Sequence, residues 1–329
     1  MSLKIVVMKP ICSLIIRSYN EQKHIRRLLE GVKRQTIFQQ VEVILVDSGS
    51  NDDTVVIARE YGVKVINIRP EEFSFGRALN RGCMAAQGEY LLFASAHVYP
   101  LYTDWIERMI APFHDKNVAL VYGRQVGCEV SKYSEQQLFN KWFPSFSNYD
   151  QAISFCNNAN CVVRKELWEQ QQYDESLTGL EDLAWASQIK EKKYKIAYEA
   201  LAPIVHVHEE TPSRIKNRYR REAIALKIIY PNEKFSFFNF IRLTIANIFS
   251  DSFHAIHDKS FTSNFFSIIM FRYMQFWGTY LGYNQKNQIN ETLRNRLYYP
   301  NDMKRPPRHS ELTHLPPSGE RIIYSGFEG

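Results

Sequence analysis

The residues that invite chemistry stand where apolar runs stop. Tyr90 to Ala94 reads as a buried strand that ends in Ser95-Ala96-His97. Ile11 to Ile16 ends in Arg17-Ser18-Tyr19-Asn20-Glu21, and Val41 to Val46 ends in Asp47-Ser48-Gly49. Open α/β sheets bind ligands outside the carboxyl ends of their strands. One sheet edge would therefore gather an imidazole, an aromatic ring and a carboxylate. The imidazole of His97 could ligate a metal, move a proton or donate a hydrogen bond. The ring of Tyr19 could stack on a base, and Asp47 could accept from a pyrimidine imide or a ribose hydroxyl. Each has a plainer explanation: His97 a structural strand-end residue, Tyr19 part of the core, Asp47 the closure of an Asx turn toward Ser50. Two further imidazoles, His206 and His208, follow a later strand, and residues two apart on an extended chain point to the same side.

The elements that must position these groups follow from periodicity. Helical spacing of Ile25, Leu28, Leu29 and Val32 predicts a helix over 21–33 with Asn20 as its N-cap. Further helices are expected over 54–61, 77–87, 104–113, 165–171 and 182–190, and further strands over 64–68, 118–122, 159–164 and 196–202. Gly127 to Asn148 is aromatic and irregular and is expected to be a loop or a mobile helical insertion over the site. The alternation predicts an α/β fold with a mostly parallel sheet flanked by helices.

Composition narrows the class. The 329 residues are 45% apolar and 23% charged, an ordinary globular balance. The net charge of +6 suits an anionic ligand or membrane surface but is too small and scattered for a nucleic-acid protein. The five cysteines, Cys12, Cys83, Cys128, Cys156 and Cys161, have no metal-ligand spacing and are expected as reduced thiols. Met1 to Pro10 lacks the pattern of a signal peptide, and no apolar run reaches the roughly 18–20 residues of a spanning helix. A cytoplasmic protein is expected, with peripheral contact to the inner membrane as an open addition.

Five blocks, in order, then become recognisable: Ser18-Tyr19-Asn20-Glu21, Val46-Asp47-Ser48-Gly49-Ser50-Asn51-Asp52, Gly76-Arg77-Ala78-Leu79-Asn80-Arg81-Gly82, Gly88-Glu89-Tyr90-Leu91-Leu92-Phe93, and Asp174 to Trp185 with its Glu181-Asp182 pair. Together they resemble the family 2 glycosyltransferases, and within them the bacterial rhamnosyltransferase-like, surface-polysaccharide members. The resemblance spans about residues 11 to 230. It implies a GT-A fold and an inverting transfer from a nucleotide-sugar donor, UDP- or dTDP-linked, to an acceptor hydroxyl of a glycan or lipid-linked glycan. It further implies that Arg17, Ser18, Tyr19, Glu21, Asp47 and Ser48 line the nucleotide pocket, that Arg77, Asn80, Ser95, Ala96 and His97 face the donor, and that Asp182, beside Glu181, is the general base. The plainer explanation of Glu181-Asp182 is an acidic helix N-terminus.

One departure stands out. The family's Asp-x-Asp, which holds the divalent cation, is here Ser95-Ala96-His97. Imidazole suits Mn²⁺ or another transition metal better than Mg²⁺. Two arrangements follow: a metal site of His97 with His206 or His208, or a metal-independent enzyme in which His97, Arg214, Lys216 and Arg218 neutralise the diphosphate. A catalytically degenerate nucleotide-sugar-binding subunit and a sugar nucleotidyltransferase are the rival functions. The second would call for a basic Gly-rich loop, which Arg17-Ser18-Tyr19-Asn20 is not.

The organisation expected is a catalytic domain over 1–212, with a nucleotide half to about 100 and an acceptor half beyond it, a helical C-terminal region over 213–298 and a Pro-rich tail over 299–329. The aromatic helices expected over 235–249 and 261–280 are amphipathic and suit a homodimer interface, an extra core layer or an interfacial contact with the inner membrane.

Overall fold

The computed structural model describes residues 9–285 and 319–324. The expectations for the first N-terminal residues, and for the Pro-rich tail apart from 319–324, lie outside the described residues. Eight strands form one sheet: β1 (Cys12–Ser18), β2 (Val41–Asp47), β3 (Lys64–Asn67), β4 (Tyr90–Ser95), β5 (Val98–Pro100), β6 (Val118–Val126), β7 (Asn160–Arg164) and β8 (Lys195–His206), in the order β3-β2-β1-β4-β7-β6-β8-β5. The β3-β2-β1-β4 half is wholly parallel, and β7 enters antiparallel between β4 and β6. The helices are α1 (Ile25–Lys33), α2 (Thr54–Glu60), α3 (Phe75–Ala85), α4 (Trp105–Ile110), α5 (Tyr133–Trp142), α6 (Lys165–Gln170), α7 (Glu181–Glu191), α8 (Pro212–Ile229), α9 (Phe237–His257) and α10 (Phe261–Tyr283).

The central strands β1 and β4 are continuous apolar runs because helices cover both faces of the sheet. Ile15, Phe93, Leu79 and Trp185 pack on one face, and Leu14, Ile16, Leu28 and Trp105 on the other. Parallel pairing of β1 with β2 and β4 brings Ser18 level with Asp47 and Arg17 level with Ser95. The strand ends bearing the chemistry are thus set side by side by register.

Three local expectations are corrected, and the insertion expected over 127–148 takes the helical of its two alternatives. Asn20 does not cap α1, whose first residue is Ile25; its φ of 55° is left-handed, and its side chain accepts from the amide of Asn51, bracing the two strand-end loops. The last strand runs on from Ala202 to His206, and the short β5 pairs antiparallel with it through Val98 and His206. The 127–148 insertion contains α5, anchored by a Tyr133 hydroxyl that donates to Asp258 at 2.7 Å. The aromatic helix expected to end near 249 continues to His257.

The three last helices pack on one another and on the sheet domain. α10 meets α8 at Gly278 and Gly282, where an added Cβ would lie 2.3 Å from the carbonyl oxygen of Lys216 and 2.4 Å from that of Arg220. Arg272 of α10 makes a buried bidentate pair with Asp251 of α9, at 2.7 and 2.8 Å. Residues 319–324 lie against the sheet domain, where the amide of Ile322 donates to Leu101 and the Tyr324 hydroxyl to the Pro100 carbonyl.

Candidate active site

A cavity of about 790 Å³ opens at the carboxyl ends of β1, β4 and β8, walled by α7 and α8. Of the residues expected there, Arg17, Ser18, Tyr19, Glu21, Ser48, Ser95, His97, Glu181, Asp182, His206 and His208 all line it. Four others do not. The carboxylate of Asp47 is buried and accepts from the amides of Gly49 and Ser50 and from the hydroxyls of Ser18 and Ser50. It closes the turn, whose Gly49 takes a φ of 92° that disfavours any side chain. Ala96 is core. Arg77 and Asn80 reach away from the cavity: Arg77 pairs with Glu175 at 2.6 Å, and Asn80 bonds the backbone of Tyr173 and the indole of Trp168. These two fasten α3 to the 173–175 segment that leads into α7.

Asp182 sits in the first turn of α7, which Leu180 enters with a left-handed φ of 56°. A non-glycine residue there costs of order 1–3 kcal/mol and occurs where surrounding structure enforces it, often at functional sites. The turn delivers both acids to the cavity wall. Glu181 accepts from Arg17 at 2.9 Å. Asp182 accepts from the amides of Asn158 and Leu183 at 2.9 and 2.8 Å. Burial, reinforced by the neighbouring Glu181 charge, pushes the Asp182 carboxyl up to about 7. A carboxylate tuned toward neutrality is what a general base acting on a hydroxyl needs.

The three imidazoles converge. One ring nitrogen from each of His97, His206 and His208 lies within 4.8 Å of the other two. Each Nδ1 has an acceptor: Glu21 for His97 at 2.8 Å, Gln125 for His206 at 2.7 Å and Glu135 for His208 at 2.6 Å. Burial disfavours the imidazolium of His97, but the Glu21 carboxylate outweighs it and holds the group above its ordinary value. Burial, reinforced by the other two imidazoles, pushes His206 well below, so it is neutral. Its Nε2 is buried with no hydrogen-bond partner. An orphaned imidazole nitrogen facing two other imidazoles fits a divalent transition cation.

Sequence reasoning missed several groups. Asn158 lines the cavity with both carboxamide atoms buried and unpartnered. Gln125 and Glu135, which orient His206 and His208, carry no motif that would mark them. Phe75 lies between the guanidinium groups of Arg17 and Arg221, at 4.9 and 4.5 Å. Arg214, at the start of α8, reaches the cavity with Nε and Nη2 making no hydrogen bond. Unlike the others, Arg214 is a residue the sequence already offers for neutralising the diphosphate; Arg218 lines the cavity with it, and Lys216 does not.

Residues 13–170 match the glycosyl transferase family 2 domain. The chain is a glycosyltransferase that carries a family 2 domain over these residues. This glycosyltransferase is 28% identical over 223 residues to the O-antigen chain rhamnosyltransferase WbaN of Salmonella anatum, covering 64% of this chain and 70% of that one. It is 26% identical over 220 residues to the O-antigen chain rhamnosyltransferase RfbN of Salmonella typhimurium, covering 63% and 69%. Among solved structures, the mannosyltransferase PcManGT of Pyrobaculum calidifontis, in complex with GDP-Man and Mn²⁺, superposes with a TM-score of 0.55 at 16% identity over 90% of this chain and 89% of that one. TarS 1–349 of S. aureus superposes with a TM-score of 0.50 at 17% identity over 79% and 72%. The fold of this glycosyltransferase is GT-A, extended by helices at its C-terminal end.

Proposed function

We propose that this glycosyltransferase moves a sugar, with inversion, from a UDP- or dTDP-sugar to a hydroxyl of a glycan or lipid-linked glycan in bacterial surface polysaccharide synthesis, O-antigen or capsule. The observation that carries the reading is Asp182, a buried carboxylate raised to about 7 on the wall of the cavity that Tyr19 and His97 also line. Asp182 takes the proton of the acceptor hydroxyl as its oxygen attacks the anomeric carbon and the bond from that carbon to the diphosphate breaks. Tyr19, Ser18 and Ser48, at the ends of β1 and β2, hold the nucleoside. Arg214 offers an unpaired guanidinium edge to the leaving diphosphate. His97, His206 and His208 would hold a divalent cation, which when bound offsets the diphosphate charge. The O-antigen relatives support the acceptor class. Asp182→Asn tests the assignment: turnover should be lost while nucleotide affinity, read by calorimetry, is kept. Retained turnover would refute it.

We also propose that α9 docks on an anionic membrane surface. No described helix is long and apolar enough to cross a membrane. Yet Phe238, Ile241, Ile245, Phe249, Phe253 and Ile256 form one exposed stripe along α9 at helical spacing, with Phe249 and Phe253 each 72% exposed. Exposed Lys234, Arg242 and Lys259 flank it, which favours anionic headgroups as the occupant. Phe249→Ser with Phe253→Ser should abolish co-sedimentation with vesicles rich in anionic lipid. Unchanged sedimentation, or a dimer dissociated by the same pair of changes without any vesicle binding, would overturn the proposal.

A further inference from the structure

We infer that residues 320–324 are a positioning strap: added as a short strand beside the end of β5, they hold the β4–β5 turn, and with it His97, against the end of β8. The inference rests on the function proposed above only for the diphosphate that His97 would meet; the mechanical role does not require glycosyl transfer.

The backbone shows strand addition. Arg321 bridges Tyr102 in the antiparallel sense. The amide of Ile322 donates to the Leu101 carbonyl at 2.9 Å, and that of Thr103 to the Glu320 carbonyl at 3.1 Å. β5 stands last in the sheet order, so the segment satisfies backbone groups just beyond a sheet edge. Strand addition takes its affinity from such main-chain bonds and its specificity from pockets under alternate side chains. Residues 322 and 324 supply those side chains. Ile322 is 6% exposed, whereas Ile323 between them is 77% exposed. Tyr324 lies edge-on to Tyr99 with ring centres 5.1 Å apart, and its hydroxyl donates to the Pro100 carbonyl at 2.6 Å. Arg34, at the end of α1, donates to the Ile323 carbonyl.

The sheet domain is shaped to receive the segment. Gly31 lies inside α1, where glycine is unfavourable beside alanine. An added Cβ there would stand 2.3 Å from the Tyr324 hydroxyl oxygen and 2.8 Å from the Pro100 ring, so the glycine leaves the space that Tyr324 and β5 fill. The contact then reaches the cavity in two steps. Tyr99 and Pro100, which Tyr324 touches, pair with Val205 and Ile204 of β8. Beyond them Val98 pairs with His206, and the Val207 amide donates to the His97 carbonyl at 3.1 Å. A loosened β5 therefore loosens the turn that carries His97 into the cavity.

The test is hydrogen exchange on the full chain, read amide by amide. Ile322→Ser with Tyr324→Ala should speed exchange at Leu101, Thr103 and Val207 by roughly 10- to 100-fold and leave Leu14 and Leu45, on β1 and β2, unchanged. Ile322→Val, which keeps the buried apolar contact, should leave all of them protected. A second readout separates positioning from stability. In the doubly altered chain, calorimetric affinity for UDP or dTDP should fall by about 10-fold, the cost of a less ordered site. Uridine or thymidine, which lacks the diphosphate, should bind as it does to the unaltered chain. Acceleration confined to Leu101 and Thr103 would overturn the inference, because the segment would then be a surface cover. Equal acceleration at Leu14 and Leu45 would overturn it too, because the segment would then be a general stabiliser. A chain that binds neither nucleotide, with Val207 still accelerated by the double change, would refute the proposed function and sustain the strap.

Discussion

Arg17 and Glu181 meet at 2.9 Å although 164 positions separate them. The contact joins the end of β1 to the first turn of α7, which carries the proposed base. It holds the Glu181 carboxylate beside Asp182 with both acids buried. Arg17→Ala strands a buried carboxylate and should cost about 3 kcal/mol of stability. A shift of the urea midpoint measures it, and an unchanged midpoint would show that the pair carries no structural weight.

Asp182 must be deprotonated to take a proton. Since its carboxyl is raised to about 7, kcat/KM should fall about tenfold per pH unit below that value and level off above it. Glu181→Gln removes the neighbouring negative charge, so the acidic limb should move to lower pH. A limb that stays in place would argue that another group sets the profile.

Asn158 holds two unpartnered, buried polar atoms at the cavity wall. In the proposed transfer, a sugar hydroxyl would be the partner that meets them. Asn158→Ala should raise KM by roughly 10- to 100-fold, the equivalent of about 1–3 kcal/mol. Thermal stability should not fall, because no intramolecular bond of that side chain is lost.

The helical extension depends on two devices. Arg272→Ala would leave Asp251 buried and unpaired between α9 and α10, at a cost of about 3–5 kcal/mol. Gly278→Val would push α10 off α8, because even a Cβ at that position meets the Lys216 carbonyl oxygen at 2.3 Å. Both changes should lower the melting temperature measured by circular dichroism.

What the sequence disclosed follows a physical pattern. The strands were legible because sheet burial on both faces writes long apolar runs, and the strand ends then pointed to Tyr19, Ser48 and His97. His206 and His208 were legible through their two-residue spacing. β5 was not, since three residues including a proline carry no periodicity; its place is set by pairing with β8. α5 was legible only as one of two alternatives for the 127–148 stretch, a loop or a helical insertion. Asp47, Arg77 and Asn80 sit in recognisable blocks, but a block does not say whether a polar side chain faces ligand or chain. Asn80 acts on Tyr173, 93 positions away, and Asp47 acts on its own turn. Asn158 had no signal at all, because its importance comes from what it lacks in the folded chain.

The amide of Asn158, and not its side chain, steadies Asp182. Any residue but proline can supply that hydrogen bond. The carboxamide beside it is therefore free to drift: lineages could exchange it while the proposed proton acceptor stays seated. Position 158 is a natural place to begin redirecting the enzyme toward a different substrate.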